Sequence, residues 1–240
     1  MIASRIDAIV RPIKWPAAGL AMLATPLLFW ALLKLGVRVL YSPVGLVPFA
    51  FGCAMFVVLW RRLIGKSRFG RFLITLEHEL THALFAVLTF HRIVGFRASL
   101  GRGGEVRFTG KGNWLITVAP YFFPTLSLLL FLIAFLMPFA GLPWSSFMLG
   151  VSLGYHVVST YRETHRDQSD IKELGNLFCW LFLPAANLAV VGALISFAHG
   201  DSDGISLWFG DILEPIEFLR SYLTNALALN PDPSYEPPGP

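Results

Sequence analysis

Residues 72–90 read FLITLEHELTHALFAVLTF, and this stretch decides how the rest of the chain is interpreted. It has the length of a membrane-spanning helix, which needs about 20 predominantly apolar residues. Four ionisable residues nevertheless lie in its middle: Glu77, His78, Glu79 and His82. Charged groups at the centre of a bilayer cost about 2.5–3.5 kcal/mol each on insertion scales, so they are rare without a function. The stretch therefore predicts a functional centre inside a membrane helix.

His78 and His82 complete a His-Glu-x-x-His pattern. Residues four apart lie on the same face of a helix, so both imidazoles can bind one metal ion. Glu79, beside the first histidine, can reach a water on the metal and take its proton as the water attacks a carbonyl. A polar seam between packed helices is the alternative, but such a seam needs neither this spacing nor the glutamate. We predict one zinc ion per chain, with Glu79 as the catalytic base.

A catalytic zinc ion takes three protein ligands and keeps one open position for water. The third ligand must come from outside the motif. Asp170 is the favoured candidate, because among His165, Asp167 and Asp170 of the charged connector 162–173 it stands closest to the next apolar segment. Asp167 and His165 in the same connector, and His156 in the preceding apolar segment, are the alternatives. For these three, solvated loop charges and a packed histidine are the simpler interpretations.

The whole chain has the composition of a polytopic membrane protein. Hydrophobic residues make up 55% of its 240 residues and charged residues only 14%, against roughly 25% charged in a soluble domain. The net charge of +4 is typical of Lys and Arg in membrane loops, so no nucleic-acid partner is expected. With six crossings these cations divide almost evenly between the two sides, which leaves the orientation open. The predicted transmembrane segments are residues 15–33, 44–60, 72–90, 114–137, 143–161 and 174–198.

A short β-hairpin is predicted after the His-Glu-x-x-His segment. Val94, Phe96 and Ala98 alternate with less apolar residues, and Val106 and Phe108 do the same beyond a glycine-rich stretch. Period-two alternation around a glycine-rich turn is typical of a hairpin. The predicted fold class is thus an all-α polytopic membrane protein of about six helices, with one small β-hairpin.

These features together resemble a known family. His78-Glu79-Leu80-Thr81-His82 in a membrane segment, a glycine-rich hairpin, a segment with Pro120 and Pro124, and an aspartate before a later segment are similar to the site-2 protease-like intramembrane zinc metallopeptidases. The similarity is to the compact branch without a PDZ domain, and it covers roughly residues 72–190. Larger members carry their ligand aspartate in a Leu-Asp-Gly triplet, whereas this chain has Ser169-Asp170-Ile171.

The resemblance implies roles for individual residues. His78, His82 and Asp170 correspond to the zinc ligands, and Glu79 corresponds to the catalytic base. It also implies that the hairpin offers an edge strand to an extended peptide substrate. The chain then divides into two N-terminal transmembrane helices with a basic loop (1–71), a metallopeptidase-like membrane core (72–198), and an acidic amphipathic segment with a proline-rich tail (199–240).

The predicted function is zinc-dependent endoproteolysis in or near transmembrane segments of other membrane proteins. The expected partners are a membrane protein or peptide substrate and the lipid bilayer, and the sequence predicts no oligomeric state. The expected location is the bacterial inner membrane, as a multi-pass protein. Two alternatives use the same residues: hydrolysis of a lipid-linked or small amide, and a metal-binding scaffold or transporter without proteolytic activity.

Overall fold

The computed structural model describes residues 2–100, 103–136 and 143–228, and most of them are helical. The helices are α1 (Ile2–Tyr41), α2 (Val47–Leu59), α3 (Arg68–Leu88), α4 (Trp114–Val118), α5 (Thr125–Leu136), α6 (Pro143–Glu163), α7 (Ser169–Leu174) and α8 (Asn176–Ala228). A 3₁₀ turn (Val44–Leu46) precedes α2, a π turn (Trp60–Ile64) extends it, and a 3₁₀ turn (Ala119–Tyr121) lies between α4 and α5. The strands are β1 (Ile93–Ala98) and β2 (Gly104–Phe108).

Three helices among the described residues are long and apolar enough to cross a membrane: Ile2–Tyr41, Val44–Ile64 and Asn176–Ala226. The prediction of a helical protein with membrane-length helices and one small hairpin is therefore confirmed. Six crossings are not confirmed. The fourth predicted segment is interrupted around Pro120 and Pro124, where α4 ends and α5 begins only at Thr125, because proline removes a backbone donor and disrupts the helix.

The hairpin leans on the helices, as an isolated two-stranded sheet requires. β1 and β2 pair antiparallel, with Phe96 opposite Val106 and a bulge between Ile93 and Gly95. Ile93 and Phe108 pack on the cluster around Phe85 and Ile116. Val94 and Phe96 are exposed, at 60% and 45% of their surface. The predicted glycine-rich turn includes residues 101 and 102, which lie outside the described residues.

The ends of the bundle can be told apart by their contacts. The loops on either side of α3 lie at one end, because Gly65 accepts a hydrogen bond from Arg162 at the end of α6 (2.9 Å) and His91 contacts Asp7 near the start of α1 (3.2 Å). We call this the hairpin end. At the opposite end, the far end, His199 lies 3.1 Å from the carbonyl of Ser42. Both ends of α3 are thus at the hairpin end.

α8 is bent sharply and consists of two arms. Gly200 and Asp201 have non-helical backbone angles, with φ of −152° and 49°. The chain folds back there, because Gly204 packs on the backbone of Ser196 across the turn. We call residues 176–199 the first arm and residues 202–228 the second arm. The acidic amphipathic segment predicted from the sequence is this second arm.

The second arm packs against α1 through buried charges. Asp211 is only 6% exposed, and it pairs with Lys34 (3.1 Å) and Arg38 (2.5 Å). Glu214, one turn further along the arm, pairs with Lys34 (2.6 Å) and accepts a hydrogen bond from Trp30 (3.2 Å). Because the partner positions in α1 fall from 38 to 30 as the arm advances, the arm runs antiparallel to α1, toward the hairpin end.

Gly204→Ala is expected to lower the free energy of unfolding by about 1–3 kcal/mol, since an added Cβ would collide with the carbonyl oxygen of Ser196 and overpacking costs of this size are typical. Gly210→Ala in the same arm is the matched control, because its Cβ would meet nothing within 4 Å. That variant should be neutral or slightly stabilising. Thermal unfolding in detergent measures both; equal stability of the two variants would contradict the close packing.

Candidate metal centre

α3 presents the two histidines of the motif on one face. Its first turn is capped by Ser67, whose hydroxyl accepts a hydrogen bond from the backbone N–H of Gly70 (2.9 Å). The imidazole rings of His78 and His82 are 4.7 Å apart between centroids, as expected for residues one turn apart. Both His78 and Glu79 are buried, at 9% exposure each.

Asp170 is brought to these histidines by α7. This short helix is anchored by Ile171 and Leu174, which are buried in the cluster around Phe178. Asp170 lies in its first turn, and its Oδ2 is 3.2 Å from Nε2 of His78 and 3.1 Å from Nε2 of His82. Among the described residues, these three form the only group of at least three His, Cys, Asp or Glu side chains able to hold a metal ion.

The three donor atoms fit a divalent metal ion in spacing. The two Nε2 atoms are 3.1 Å apart, so the donors form a triangle with edges of 3.1–3.2 Å. Ligands about 2.0–2.1 Å from a tetrahedral zinc ion are about 3.3 Å apart. Two nitrogens and one oxygen also suit zinc chemically.

Hydrogen bonding orients the donor atoms toward one another. His82 donates from Nδ1 to the carbonyl oxygen of Ile116 (2.8 Å), so a neutral ring directs the lone pair of Nε2 toward Asp170. At 3.1 Å from the carboxylate oxygen of Asp170, this nitrogen requires either a proton or a metal cation between the two atoms. Burial raises the pKa of Asp170, but the imidazoles of His78 and His82 outweigh it and hold that pKa below its ordinary value. Asp170 therefore offers an ionised oxygen.

Two further residues orient the donor set. Tyr121 donates a hydrogen bond from its hydroxyl to Oδ2 of Asp170 (3.1 Å), and its ring meets the edge of His78 at 5.4 Å between centroids. Glu163 places Oε2 3.6 Å from Nδ1 of His78, a nitrogen that has no hydrogen-bond partner among the described residues. A carboxylate behind a ligating histidine typically fixes the ring and raises its basicity.

Glu79 lies between the histidines and the hairpin. A Cβ added to Gly104, the first residue of β2, would collide with Cγ of Glu79 and lie 2.6 Å from its Oε1. The absence of a side chain at this position therefore gives the carboxylate its space. The backbone of β2 passes directly beside the acid that follows the first histidine.

These groups share one cavity of about 650 Å³. It is lined by the metal-binding group, by Glu79 and Glu163, and by β2 from Gly104 to Phe108. β2 pairs only with β1 in the sheet that the structure describes, so its other edge is open. The cavity is large enough for a peptide segment, and an open strand edge is the element to which extended peptides add.

The other candidate ligands lie elsewhere. Asp167 is 92% exposed and 3.7 Å from Lys172. His165 is exposed on a separate groove between α6 and α8. His156 is buried in α6, and its Nε2 has no hydrogen-bond partner among the described residues. None of them belongs to the converging group among the described residues.

Sequence reasoning missed Tyr121, Glu163 and Ile116. Tyr121 stands within the proline-interrupted stretch 120–124, so the break in the helix is the only sequence signal near it. Glu163 reads as a loop charge, and Ile116 contributes a backbone carbonyl that no side-chain pattern reveals. Their roles arise from packing between α3, α4 and α6.

The chain thus combines membrane-length helices with a group of three side chains able to hold a metal ion. Residues 49–165 match the family model described as Peptidase M50B-like, which confirms the resemblance to the site-2 protease family. The match covers slightly less than half of the chain and includes His78, Glu79 and His82, but it ends before Asp170. No curated protein and no solved structure matches the chain.

Proposed function

We propose that this protein is an intramembrane zinc endopeptidase that cleaves peptide bonds in or near transmembrane segments of other membrane proteins. The observation that carries the proposal is the convergence of His78, His82 and Asp170 in one cavity with Glu79 and the open edge of β2. A hydrolase of small amides would need a closed pocket rather than a strand edge. A scaffold or transporter would need neither Glu79 nor its space beside Gly104.

The residues divide the work of hydrolysis as follows. His78, His82 and Asp170 would hold the ion, and a bound zinc ion supplies Lewis-acid chemistry that makes water a nucleophile near neutral pH. Glu79 takes a proton from the attacking water and delivers it to the amine nitrogen of the departing chain. Tyr121 keeps Oδ2 of Asp170 in place through its hydroxyl. β2 aligns the substrate in extended form beside Glu79.

The membrane arrangement is part of the proposal. Five of the six predicted segments cross the bilayer as α1, α2, the α4–α5 pair, α6 and the first arm of α8. α3 lies along the hairpin end, because both of its ends contact residues there. The expected location remains the bacterial inner membrane, and the expected substrate is a membrane protein or peptide.

The test is a comparison of membrane-protein fragments. Purified wild-type protein and the Glu79→Gln variant are each incubated with detergent-solubilised membrane proteins, and new peptide termini are identified by mass spectrometry. We expect termini within or beside apolar segments with the wild type only, and their loss when a zinc chelator is added. Cleavage at soluble loops, or identical termini with both proteins, would contradict the proposal.

Gly104→Ala is expected to slow cleavage by about 100-fold, because the added methyl group displaces the carboxylate of Glu79 and misplacement by about 1 Å costs that much. Metal content should not change, since the ligands are not touched. Gly36→Ala, where a Cβ meets nothing within 4 Å, is the control for handling and folding. Full activity in Gly104→Ala would mean that Glu79 does not act from this position.

A further inference from the structure

α1 is longer than a membrane crossing requires. Its 40 residues extend about 60 Å at 1.5 Å per residue, whereas the hydrocarbon core is about 30 Å thick. The excess lies at the hairpin end, and we call residues 2–14 the N-terminal arm. This arm is docked on the chain segment that leads into α4: Trp114 donates to the carbonyl of Val10 (2.6 Å), and Arg11 donates to the carbonyl of Gly112 (3.0 Å).

Asp7 is the buried centre of this contact. Only 5% of it is exposed. Its Oδ1 accepts a hydrogen bond from Nδ2 of Asn113 (2.8 Å), and its Oδ2 accepts one from Nε2 of His91 (3.2 Å). His91 and Asn113 are themselves buried, at 3% and 6% exposure. A buried carboxylate is costly unless its oxygens are paired, and here both oxygens have partners.

The contact continues to the metal centre through hydrogen bonds. An ionised Asp7 can only accept hydrogen bonds, so it binds the amide Nδ2 of Asn113. The amide oxygen Oδ1 of Asn113 is therefore directed toward α4. That Oδ1 caps the helix by accepting the N–H groups of Leu115 (3.2 Å) and Ile116 (3.4 Å). The carbonyl of Ile116 in turn accepts from Nδ1 of His82 (2.8 Å), which leaves Nε2 of His82 free for the ion.

We propose that Asp7 is a positioning residue for the metal centre: through Asn113 and the first turn of α4 it fixes the ring of His82. The inference rests on the proposed function only in that the site binds a metal ion. The matched family segment begins at residue 49, so the arm supplies this support from outside it. Outer-shell partners of ligating histidines typically change metal affinity 10- to 100-fold.

The first test uses Asp7→Ala in the full chain. Zinc affinity is measured by competition with a chromophoric chelator, and the visible absorption spectrum of the cobalt-substituted protein reports the ligand geometry. We expect affinity to fall up to about 10-fold, the lower end of the effect of a direct outer-shell partner, and the cobalt bands to shift. Arg5→Ala changes an exposed residue of the same arm, two positions from Asp7, and it should leave affinity and spectrum unchanged.

A second test exchanges donor and acceptor. Asn113→Asp alone places two carboxylates together and should weaken zinc binding. The double variant Asp7→Asn/Asn113→Asp restores the pair, because the amide at position 7 can donate to the carboxylate at position 113 and still accept from His91. Aspartate also caps helices well. Recovery of affinity and of the cobalt spectrum in the double variant is the expected result.

The outcomes separate this inference from the proposed function. Wild-type protein without metal affinity would overturn both. Wild-type protein that binds zinc but cleaves no substrate would contradict the proposed peptidase activity and would not affect the positioning role of Asp7. Equal zinc affinity and equal cobalt spectra for wild type and Asp7→Ala would contradict only the positioning role of Asp7. If Asp7→Ala does not fold, the donor–acceptor exchange decides. A double variant that binds zinc no more tightly than Asn113→Asp would contradict the positioning role of Asp7.

Discussion

Glu79→Gln is expected to bind zinc as tightly as the wild type and to cleave substrate about 10²- to 10⁴-fold more slowly, the usual effect of losing a general base. Glutamine has nearly the same shape as glutamate, so it fits the space beside Gly104, but it cannot take a proton. The two measurements are metal content by mass spectrometry and initial cleavage rate on a substrate peptide.

The combination of the two measurements matters more than either one alone. Loss of metal together with activity would mean that Glu79 supports the ligands rather than the water. Glu217→Gln is a suitable control, because this acid is exposed on the second arm of α8, outside the lining of the cavity. It should retain both metal and activity. Normal cleavage by Glu79→Gln would remove the assigned mechanism.

Asp170→Ala is expected to lose the metal. Its Oδ2 is the third corner of the donor triangle. Without this oxygen, only the two imidazoles remain to bind the ion. Zinc affinity should fall by more than about 100-fold, the upper end of what loss of an outer-shell partner causes, and cleavage should disappear with the ion. Chelator competition measures the affinity.

Asp167→Ala is the matched control for this variant. It removes an acid from the same connector, three residues away and 92% exposed, so affinity should be unchanged. An unchanged metal content in Asp170→Ala would transfer the role of third ligand to Asp167, His165 or His156. Loss of metal in both variants would indicate that the connector, rather than one oxygen, is required.

The parts of the site that local patterns encode could be predicted. The spacing of His78 and His82 places two rings on one helix face in any context, and the alternation in residues 93–108 specifies a hairpin without reference to the rest of the chain. Asp170 was favoured from its place in the connector, and the structure brings it to the histidines. The assignment of these residues as ligands stays a prediction until metal is measured.

The remaining features depend on tertiary packing and leave no local signal. For residues 199–240 the sequence predicts only an acidic amphipathic segment, with no partner for its acids. In the structure Asp211 is buried against Lys34 and Arg38, since the turn at Gly200 and the contact of Gly204 with Ser196 fold the arm back on the bundle. A hydropathy pattern cannot show which partner a carboxylate will meet.

The contacts at the two ends of α3 bear on the sidedness of the protein. Because the loops on both sides of α3 lie at the hairpin end, the basic segments around residues 5–14, 61–71, 92–100, 103–111 and 162–172 all lie there. These segments hold most of the Lys and Arg among the described residues. Lys34 and Arg38 lie nearer the far end and are neutralised by Asp211 and Glu214. The positive-inside rule then predicts that the hairpin end, with the cavity, faces the cytoplasm.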